Sequence, residues 1–433
     1  MAEKVLILGL SKSGIAAAKF AVSKGYDVYV TEKKNEVNLE QVKELQNLGV
    51  KIEHGSHSEE FISGASFAIT SPGIPPKSEI FRRLNEKNIK IISEVEFAYL
   101  NTKTPFIAIT GTNGKTTTTA LVSHILSKKF SAPVCGNIGV PPTSLIEENH
   151  DFLVCEISSY QAQMTERFKA KIACWTNFTP DHIDWHGGLE NYFNAKAKIF
   201  LPPQEPEFAI LNAQDTKLKE FSKQCKNVIF FDDGNDCGIK NNSIFYKGEE
   251  IISLKDCPLV GHHNYQNIMC GIIIAKLVGM NNSDIREQIM SFRAPEHRLE
   301  KVREMNGITF FNDSKATNPE ASIVAIDSFN NQNVALILGG RDKNTDLTEM
   351  CHSINKHIKT VLLIGEATER FEENLKKNGF SNIIKEHTME EAIDKAISLK
   401  PDVVLLSPAC ASFDMFKSYE HRGEVFKDYV LSK

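Results

Sequence analysis

The sequence predicts an α/β protein built from three successive units, and three observations lead there. Short apolar, β-branched runs alternate with helical patterns almost throughout, the pattern of βαβ units that form parallel sheets. The 433 residues correspond to about three domains at roughly 150 residues each. Several apolar runs empty into polar, glycine-containing turns before a helical stretch, which places functional groups at the carboxyl ends of strands, where open α/β sheets hold ligands.

The first series comprises VLILG (5–9), VYVT (28–31), FAIT (67–70) and KIIS (90–93). The second opens with FIAIT (106–110), continues through FLVCEIS (152–158), IACWTNF (172–178) and FAILN (208–212), and ends in an irregular β-rich stretch to about residue 254. An amphipathic stretch over 264–292 precedes the third series, ITFFNDS (308–314), VALILGG (334–340), TVLLIG (360–365) and VVLLSP (403–408). Boundaries near Glu94 and Ala294-Pro295 divide the chain into 1–93, 94–295 and 296–433.

Composition narrows the function classes. With 41% hydrophobic and 24% charged residues the chain is ordinary globular material, not a disordered or fibrous one. The net charge of -5 and the lack of any long Lys/Arg run exclude a general nucleic-acid coat, so cations for anionic ligands must be concentrated at the site. Nine dispersed cysteines with no C-x-x-C pair argue for a reducing compartment and against a disulfide framework or a zinc site. The apolar run at 5–10 is broken by Ser11, Lys12 and Ser13, too short for a signal peptide, and no stretch reaches the ~20 apolar residues of a spanning helix. We therefore expect a cytoplasmic protein, monomeric, with no membrane or nucleic-acid partner.

The strongest local motif is Gly111-Thr112-Asn113-Gly114-Lys115-Thr116-Thr117, directly after an apolar strand and before a helical run. Glycines let backbone N–H groups turn toward phosphate oxygens, the helix N-terminus adds partial positive charge, Lys115 reaches the terminal phosphates, and the Thr116 hydroxyl is a Mg²⁺ ligand. The motif departs from G-x-x-x-x-G-K-[ST], since Ile109 stands where the first glycine belongs. Glu156 ends the next long apolar run, a natural hard-oxygen ligand for Mg²⁺ beside phosphate, and the segment that follows carries Asp181, His182, Asp184, His186 and Lys196. Taken alone, Glu156 also reads as a solvated strand end, His182 as a hydrogen-bonded loop histidine, and Lys196 as a cation on an amphipathic helix. At the N-terminus, Gly9-Leu10-Ser11-Lys12-Ser13-Gly14 follows the first strand, with Glu32 eighteen residues beyond Gly14. That approximates a dinucleotide fingerprint whose middle glycine is Ser11, and keeps a nicotinamide-dependent oxidoreductase open.

Gly-Thr-Asn-Gly-Lys-Thr (111–116), Glu-Ile-Ser-Ser-Tyr-Gln (156–161), Asn-Phe-Thr-Pro-Asp-His-Ile-Asp (177–184) with Lys196 fourteen residues past His182, and His-His-Asn-Tyr-Gln-Asn (262–267) together resemble the Mur ligases, the ATP-dependent amide-forming enzymes of peptidoglycan precursor synthesis. The resemblance covers essentially the whole chain. It implies a Rossmann-like N-terminal domain for the uridine diphosphate substrate, a central P-loop ATPase-type domain, and a Rossmann-like C-terminal domain for the amino acid. It implies that Gly111 to Thr117, Asn267, Arg298 and Asp313 bind ATP. It places two Mg²⁺ ions on Thr116, Glu156, His182 and Lys196, the last as a carbamate, and gives catalytic roles to Lys115, His182, Lys196 and Lys315. Ser13, Glu32, Lys33, Ser71, Pro72, Gly73, Asn137, Ser158 and His182 are then the residues facing the uridine diphosphate substrate.

Ser-Pro-Ala-Cys-Ala-Ser-Phe-Asp-Met-Phe-Lys (407–417) resembles the branch of the family that adds D-glutamate to UDP-N-acetylmuramoyl-L-alanine. Thr317, Lys343, Ser412, Phe413 and Tyr419 would hold the glutamate, while Cys410, without a paired base, reads as a packing residue. The implied reaction passes through an acyl phosphate and yields ADP and phosphate. A folylpolyglutamate synthase-like ligase, which lacks the uridine diphosphate-binding first domain, is the related alternative.

Overall fold

The computed structural model describes residues 2–259, 261–293, 296–329, 332–342 and 345–433. Three sheets account for the three series. The first contains β1 (Lys4–Leu8), β2 (Asp27–Glu32), β3 (Lys51–His54), β4 (Phe67–Thr70) and β5 (Lys90–Ser93), all parallel, in the order β3-β2-β1-β4-β5. Val5, Leu6, Ile7 and Leu8 of β1 are fully buried, as a strand covered on both faces requires. Strand order reverses between β1 and β4, so the turns after these two strands flank the crevice in which such sheets bind ligands.

The second sheet contains β6 (Phe106–Thr110), β7 (Val134–Gly136), β8 (Leu153–Glu156), β9 (Ile172–Trp175), β10 (Phe208–Asn212), β11 (Val228–Phe231), β12 (Cys237–Lys240), β13 (Ser243–Tyr246) and β14 (Glu249–Ser253). Its order is β14-β13-β12-β11-β10-β9-β6-β8-β7, with an antiparallel meander over β12 to β14. β6, which carries the phosphate turn, lies between β8 and β9, so their carboxyl ends converge on it. The third sheet contains β15 (Glu300–Met305), β16 (Ile308–Asn312), β17 (Val334–Gly339), β18 (Thr360–Ile364), β19 (Ile383–Lys385) and β20 (Val403–Leu406), ordered β15-β16-β20-β17-β18-β19 and parallel except for β15 against β16.

The chain forms two compact units, Met1–Asp256 with Gln266–Ser291, and Cys257–Tyr265 with Phe292–Lys433. The first two sheets thus share one unit. The helix Glu94–Leu100, directly after β5, ties them together: Phe97 packs edge-on against Phe20 and Tyr26 of the first sheet's layer, while the Glu96 carboxylate accepts the N–H groups of Glu166, Arg167 and Phe168. The expected boundary at Ala294-Pro295 lies outside the described residues.

The stretch over 264–292 is not one amphipathic element. It is two helices, His262–Leu277 and Asn282–Ser291, broken at Gly279, whose φ of 86° suits glycine. Ile268, Met269, Cys270, Ile272, Ile273, Ile274 and Ala275 have no exposed surface, so the first helix is apolar nearly all round. The nine cysteines are free thiols, and among the described residues no helix is long and apolar enough to cross a membrane.

Candidate active site

The phosphate turn is held open by its neighbours. Gly111 has φ 147° and Gly114 φ 80°, and a Cβ on Gly111 would run into the Thr176 hydroxyl at the end of β9. Thr112 N–H donates to the Asn177 carbonyl (3.0 Å), Asn113 N–H to the Asn177 side-chain oxygen (2.9 Å), and the Thr176 hydroxyl to the Asn113 carbonyl (2.6 Å). Asn267 reaches in from its own helix and accepts from the Thr118 hydroxyl at 3.0 Å. Gly114 then opens the helix Lys115–Leu126, and Lys115 Nζ donates to the carbonyls of Gly111 (3.0 Å) and Thr112 (2.7 Å), folded over the turn that its charge would serve.

Beside it, Glu156 is 1% exposed. One carboxylate oxygen accepts from the Thr116 hydroxyl and the other from the Asn137 amide, each at 2.8 Å. A carboxylate and a hydroxyl paired at the edge of a phosphate turn are hard-oxygen donors that suit Mg²⁺. Among the described residues no group of three or more His, Cys, Asp or Glu side chains forms a metal cage, so phosphate and water oxygens would complete the coordination shell. The structure puts Asn137 on this carboxylate.

Lys196, on the helix Leu189–Ala197, is 1% exposed, and its Nζ donates to the Gly111 carbonyl at 2.7 Å. Burial, reinforced by Lys115, holds its pKa well below the usual lysine value against the opposing pull of Asp181 and Glu156. A lowered pKa favours the neutral amine, the form that condenses with carbon dioxide. His182 adopts φ 51° and is exposed, with Asp181 at 3.4 Å from Nε2. The side chain of Asp184 lies outside the described residues.

In the first sheet, a Cβ on Gly14 would collide with the Gly9 carbonyl oxygen, so this pair of glycines permits close packing of helix Lys12–Ser23 on β1. The Ser11 hydroxyl bonds Ser71 (2.8 Å) and Ser13 (3.0 Å), joining the turns after β1 and β4 into one polar lip. Pro72 and Gly73 follow Ser71 in the chain, and Lys33, directly after β2, is exposed. Glu32 proves to be a turn organiser as well, its two oxygens accepting the N–H groups of Leu10 and Lys34 at 3.0 Å. Ser158 caps the helix Ser159–Gln163 in a reciprocal box with Gln161.

In the second compact unit, the end of β16 is polar and buried. Asp313 accepts from the Ser407 hydroxyl (2.8 Å) and the Leu299 N–H (3.1 Å), and burial pushes its carboxyl up to about 7 despite these bonds and nearby Arg298 and Arg422. Lys427 pairs with Glu296 and Glu300. Lys315 Nζ lies 5.2 Å from the centre of the Tyr419 ring, placing two of the expected site residues together, and the Thr317 N–H closes the same turn onto the Lys315 carbonyl. Ser412 is 2% exposed and Phe413 64% exposed. Cys410 is buried, its thiol raised to about 12 by desolvation, a packing residue. Lys343 lies outside the described residues.

Comparison with known proteins agrees with this geometry. The MurD-like N-terminal domain of Mur ligases matches residues 3–93, the Mur ligase middle domain 109–275, and the Mur ligase glutamate ligase domain 297–410. The UDP-N-acetylmuramoylalanine--D-glutamate ligase of Caldanaerobacter subterraneus subsp. tengcongensis is 37% identical over 99% of this chain and 98% of its own. The chain belongs to the Mur ligase family. The ligase of the same name from Koribacter versatilis is 39% identical, covering 99% of this chain and 97% of that one. Among solved structures, the UDP-N-acetylmuramate-alanine ligase MurC of Thermotoga maritima aligns over 99% of this chain and 100% of its own at 20% identity with a TM-score of 0.63. Folylpolyglutamate synthase of Mycobacterium tuberculosis aligns over 75% of this chain and 92% of its own, at 15% identity and a TM-score of 0.59. The fold is that of the Mur ligases.

One organiser of this Mur ligase site escapes sequence reading. Arg422 has no exposed surface, and its guanidinium donates to the Ser314 hydroxyl (2.9 Å) and to the carbonyls of Ser314 (2.8 Å) and Cys410 (3.1 Å). It thereby fixes the turn after β16 to the turn after β20. In the sequence it is one arginine among charged neighbours on the helix Tyr419–Ser432, and nothing local marks it as buried. Arg422→Met strands those carbonyls and is expected to destabilise the protein by about 2–4 kcal/mol, read as a lowered denaturation midpoint in urea. An unchanged midpoint would remove this role.

Proposed function

We propose that this protein joins D-glutamate to the alanyl carboxylate of UDP-N-acetylmuramoyl-L-alanine with hydrolysis of ATP to ADP and phosphate. The single observation that carries the reading is full-length similarity to ligases of that name, together with the Ser412-Phe413-Asp414 turn at the edge of the third sheet. We propose the division 1–93 for the nucleotide substrate, 94–295 for ATP and 296–433 for glutamate, in a monomer acting in the cytoplasm.

The γ-phosphoryl group passes to the alanyl carboxylate oxygen, giving an acyl phosphate. The amine of D-glutamate attacks the acyl carbon, the tetrahedral intermediate expels phosphate, and the amine proton leaves as the amide forms. Such transfers depend on positioning and charge neutralisation. Lys115 and the backbone N–H groups at the start of the helix Lys115–Leu126 would hold the phosphates. Thr116 and Glu156 would hold one Mg²⁺, and His182 with a carbamate on Lys196 would hold a second; bound Mg²⁺ would supply charge neutralisation. The carbamate forms when the neutral Lys196 amine adds to carbon dioxide and loses a proton. Lys315 orients the reacting carboxylate, Arg298 and Asp313 face ATP, and Thr317, Lys343, Ser412, Phe413 and Tyr419 face glutamate.

The test is phosphate release with UDP-N-acetylmuramoyl-L-alanine and ATP, comparing D-glutamate, L-glutamate, L-lysine and diaminopimelate. Release is expected with D-glutamate alone. Stimulation by lysine or diaminopimelate instead would overturn the amino-acid assignment.

A further inference from the structure

His186 is a buried ring with one nitrogen accounted for. It ends the helix Ile183–His186, is 8% exposed, stacks on Tyr160 at a centroid distance of 5.5 Å and an interplanar angle of 17°, and lies 5.4 Å from the Tyr192 ring. Its Nε2 is 3.0 Å from the Ser159 hydroxyl, while its Nδ1 is buried with no hydrogen-bond partner among the described residues. Ser159 is 2% exposed, and among the described residues its hydroxyl meets only this ring nitrogen. A buried hydroxyl proton needs an acceptor, so Ser159 donates and Nε2 accepts. A neutral imidazole that accepts at Nε2 carries its proton on Nδ1. Trp185 Nε1, whose ring also packs on Tyr160, is a second buried donor without a partner.

Buried donors left open in a folded protein call for an acceptor brought by something else. The position says which. Gly187, the next residue, abuts the Lys77 ammonium, on the segment that continues from Ser71-Pro72-Gly73 after β4. The ring therefore stands where the nucleotide-facing segment of the first sheet meets the loop of His182. A substrate with its diphosphate at the Ser11-Ser13-Ser71 lip and its carboxylate at the phosphate turn brings its muramoyl-alanyl segment, rich in carbonyl, ether and hydroxyl oxygens, past this point.

We propose that His186 binds the muramoyl-alanyl segment by a hydrogen bond from Nδ1–H to a substrate oxygen, and that Ser159 positions it by fixing the tautomer. The inference rests on the substrate proposed above. Asparagine and glutamine separate the two nitrogens: the amide of asparagine reaches the place of Nδ1, that of glutamine the place of Nε2. In steady-state phosphate release by the full-length enzyme, His186→Gln is expected to raise KM for UDP-N-acetylmuramoyl-L-alanine about tenfold with KM for ATP unchanged, whereas His186→Asn stays within about threefold of wild type. Ser159→Ala, which frees the tautomer while leaving the ring, raises the same KM by about threefold to tenfold and decides the matter if the glutamine variant fails to fold. Equal behaviour of the Asn and Gln variants, or a KM for ATP that rises in parallel, overturns the proposal. Lack of turnover in wild type with this substrate overturns the proposed function and this inference together; wild-type turnover with indistinguishable variants overturns this inference alone.

Discussion

Lys115→Ala is expected to lower kcat at least about a thousandfold while shifting the melting temperature by no more than about 3 °C. The two effects separate because of where the ammonium sits. It donates to the carbonyls of Gly111 and Thr112, within its own turn. The open shape is set instead by Asn177 and Thr176, by Asn267 on Gly114, and by the positive φ of Gly111 and Gly114, all of which survive the substitution. What disappears is the side-chain cation at the N-terminus of helix Lys115–Leu126. Charge that builds on the bridging and terminal phosphate oxygens during transfer then loses that partner and is left to backbone dipoles and the proposed Mg²⁺. Lys115→Arg keeps the charge but replaces a compact point with a broad planar fork and should recover only part of the loss. Turnover of Lys115→Ala near wild type would contradict the assignment of this turn to the reacting phosphates.

The parts of this protein that can be read from sequence are those whose residues report their own environment. Central strands such as FIAIT and VALILGG are apolar throughout because both faces are covered, and they are found from the pattern, whereas β11 to β14 are read only as one irregular β-rich stretch. The strands that escape are β3, β7, β15 and β19, and each lies at the edge of its sheet. β3 reads KIEH and β15 reads EKVREM, because edges are half solvated and carry charges that block further pairing. The phosphate turn and Glu156 are legible for a related reason, as glycine, lysine and a carboxylate at strand ends have few other uses there. Arg422, Asn177 and Tyr192 are not legible. Their contributions come from contacts over long sequence separations, such as the Tyr192 hydroxyl against Thr112 at 3.1 Å, and no local spacing encodes them. The union of the first two units is hidden in the same way, since Phe97 reads as an ordinary helical aromatic until the rings around it are known.

Lys196→Met should remove activity by at least about a hundredfold and yet leave the protein as stable as wild type or more so. The buried Lys196 nitrogen is bonded to a carbonyl and, more distantly at 3.5 Å, to the Thr110 hydroxyl, with no carboxylate among its hydrogen-bond partners in the described residues. A methionine of similar volume fills the space without that desolvation cost. The sign of the pH dependence follows from the lowered pKa. Between the folded value and the ordinary 10.5, the unfolded chain holds the proton and the folded one does not, so wild-type stability rises with pH across that window. In carbonate-free buffer, the advantage of Lys196→Met in melting temperature should therefore be largest at low pH and narrow as pH approaches 10. With the proposed carbamate on Lys196, activity should fall after exhaustive degassing at mildly acidic pH, where carbamates lose carbon dioxide, and return on adding bicarbonate. A Lys196→Met enzyme that turns over normally would rule out a carbamate in the reaction. A wild type indifferent to bicarbonate, paired with an inactive Lys196→Met, would assign the residue a role as the amine itself, held against the Gly111 carbonyl at the base of the phosphate turn.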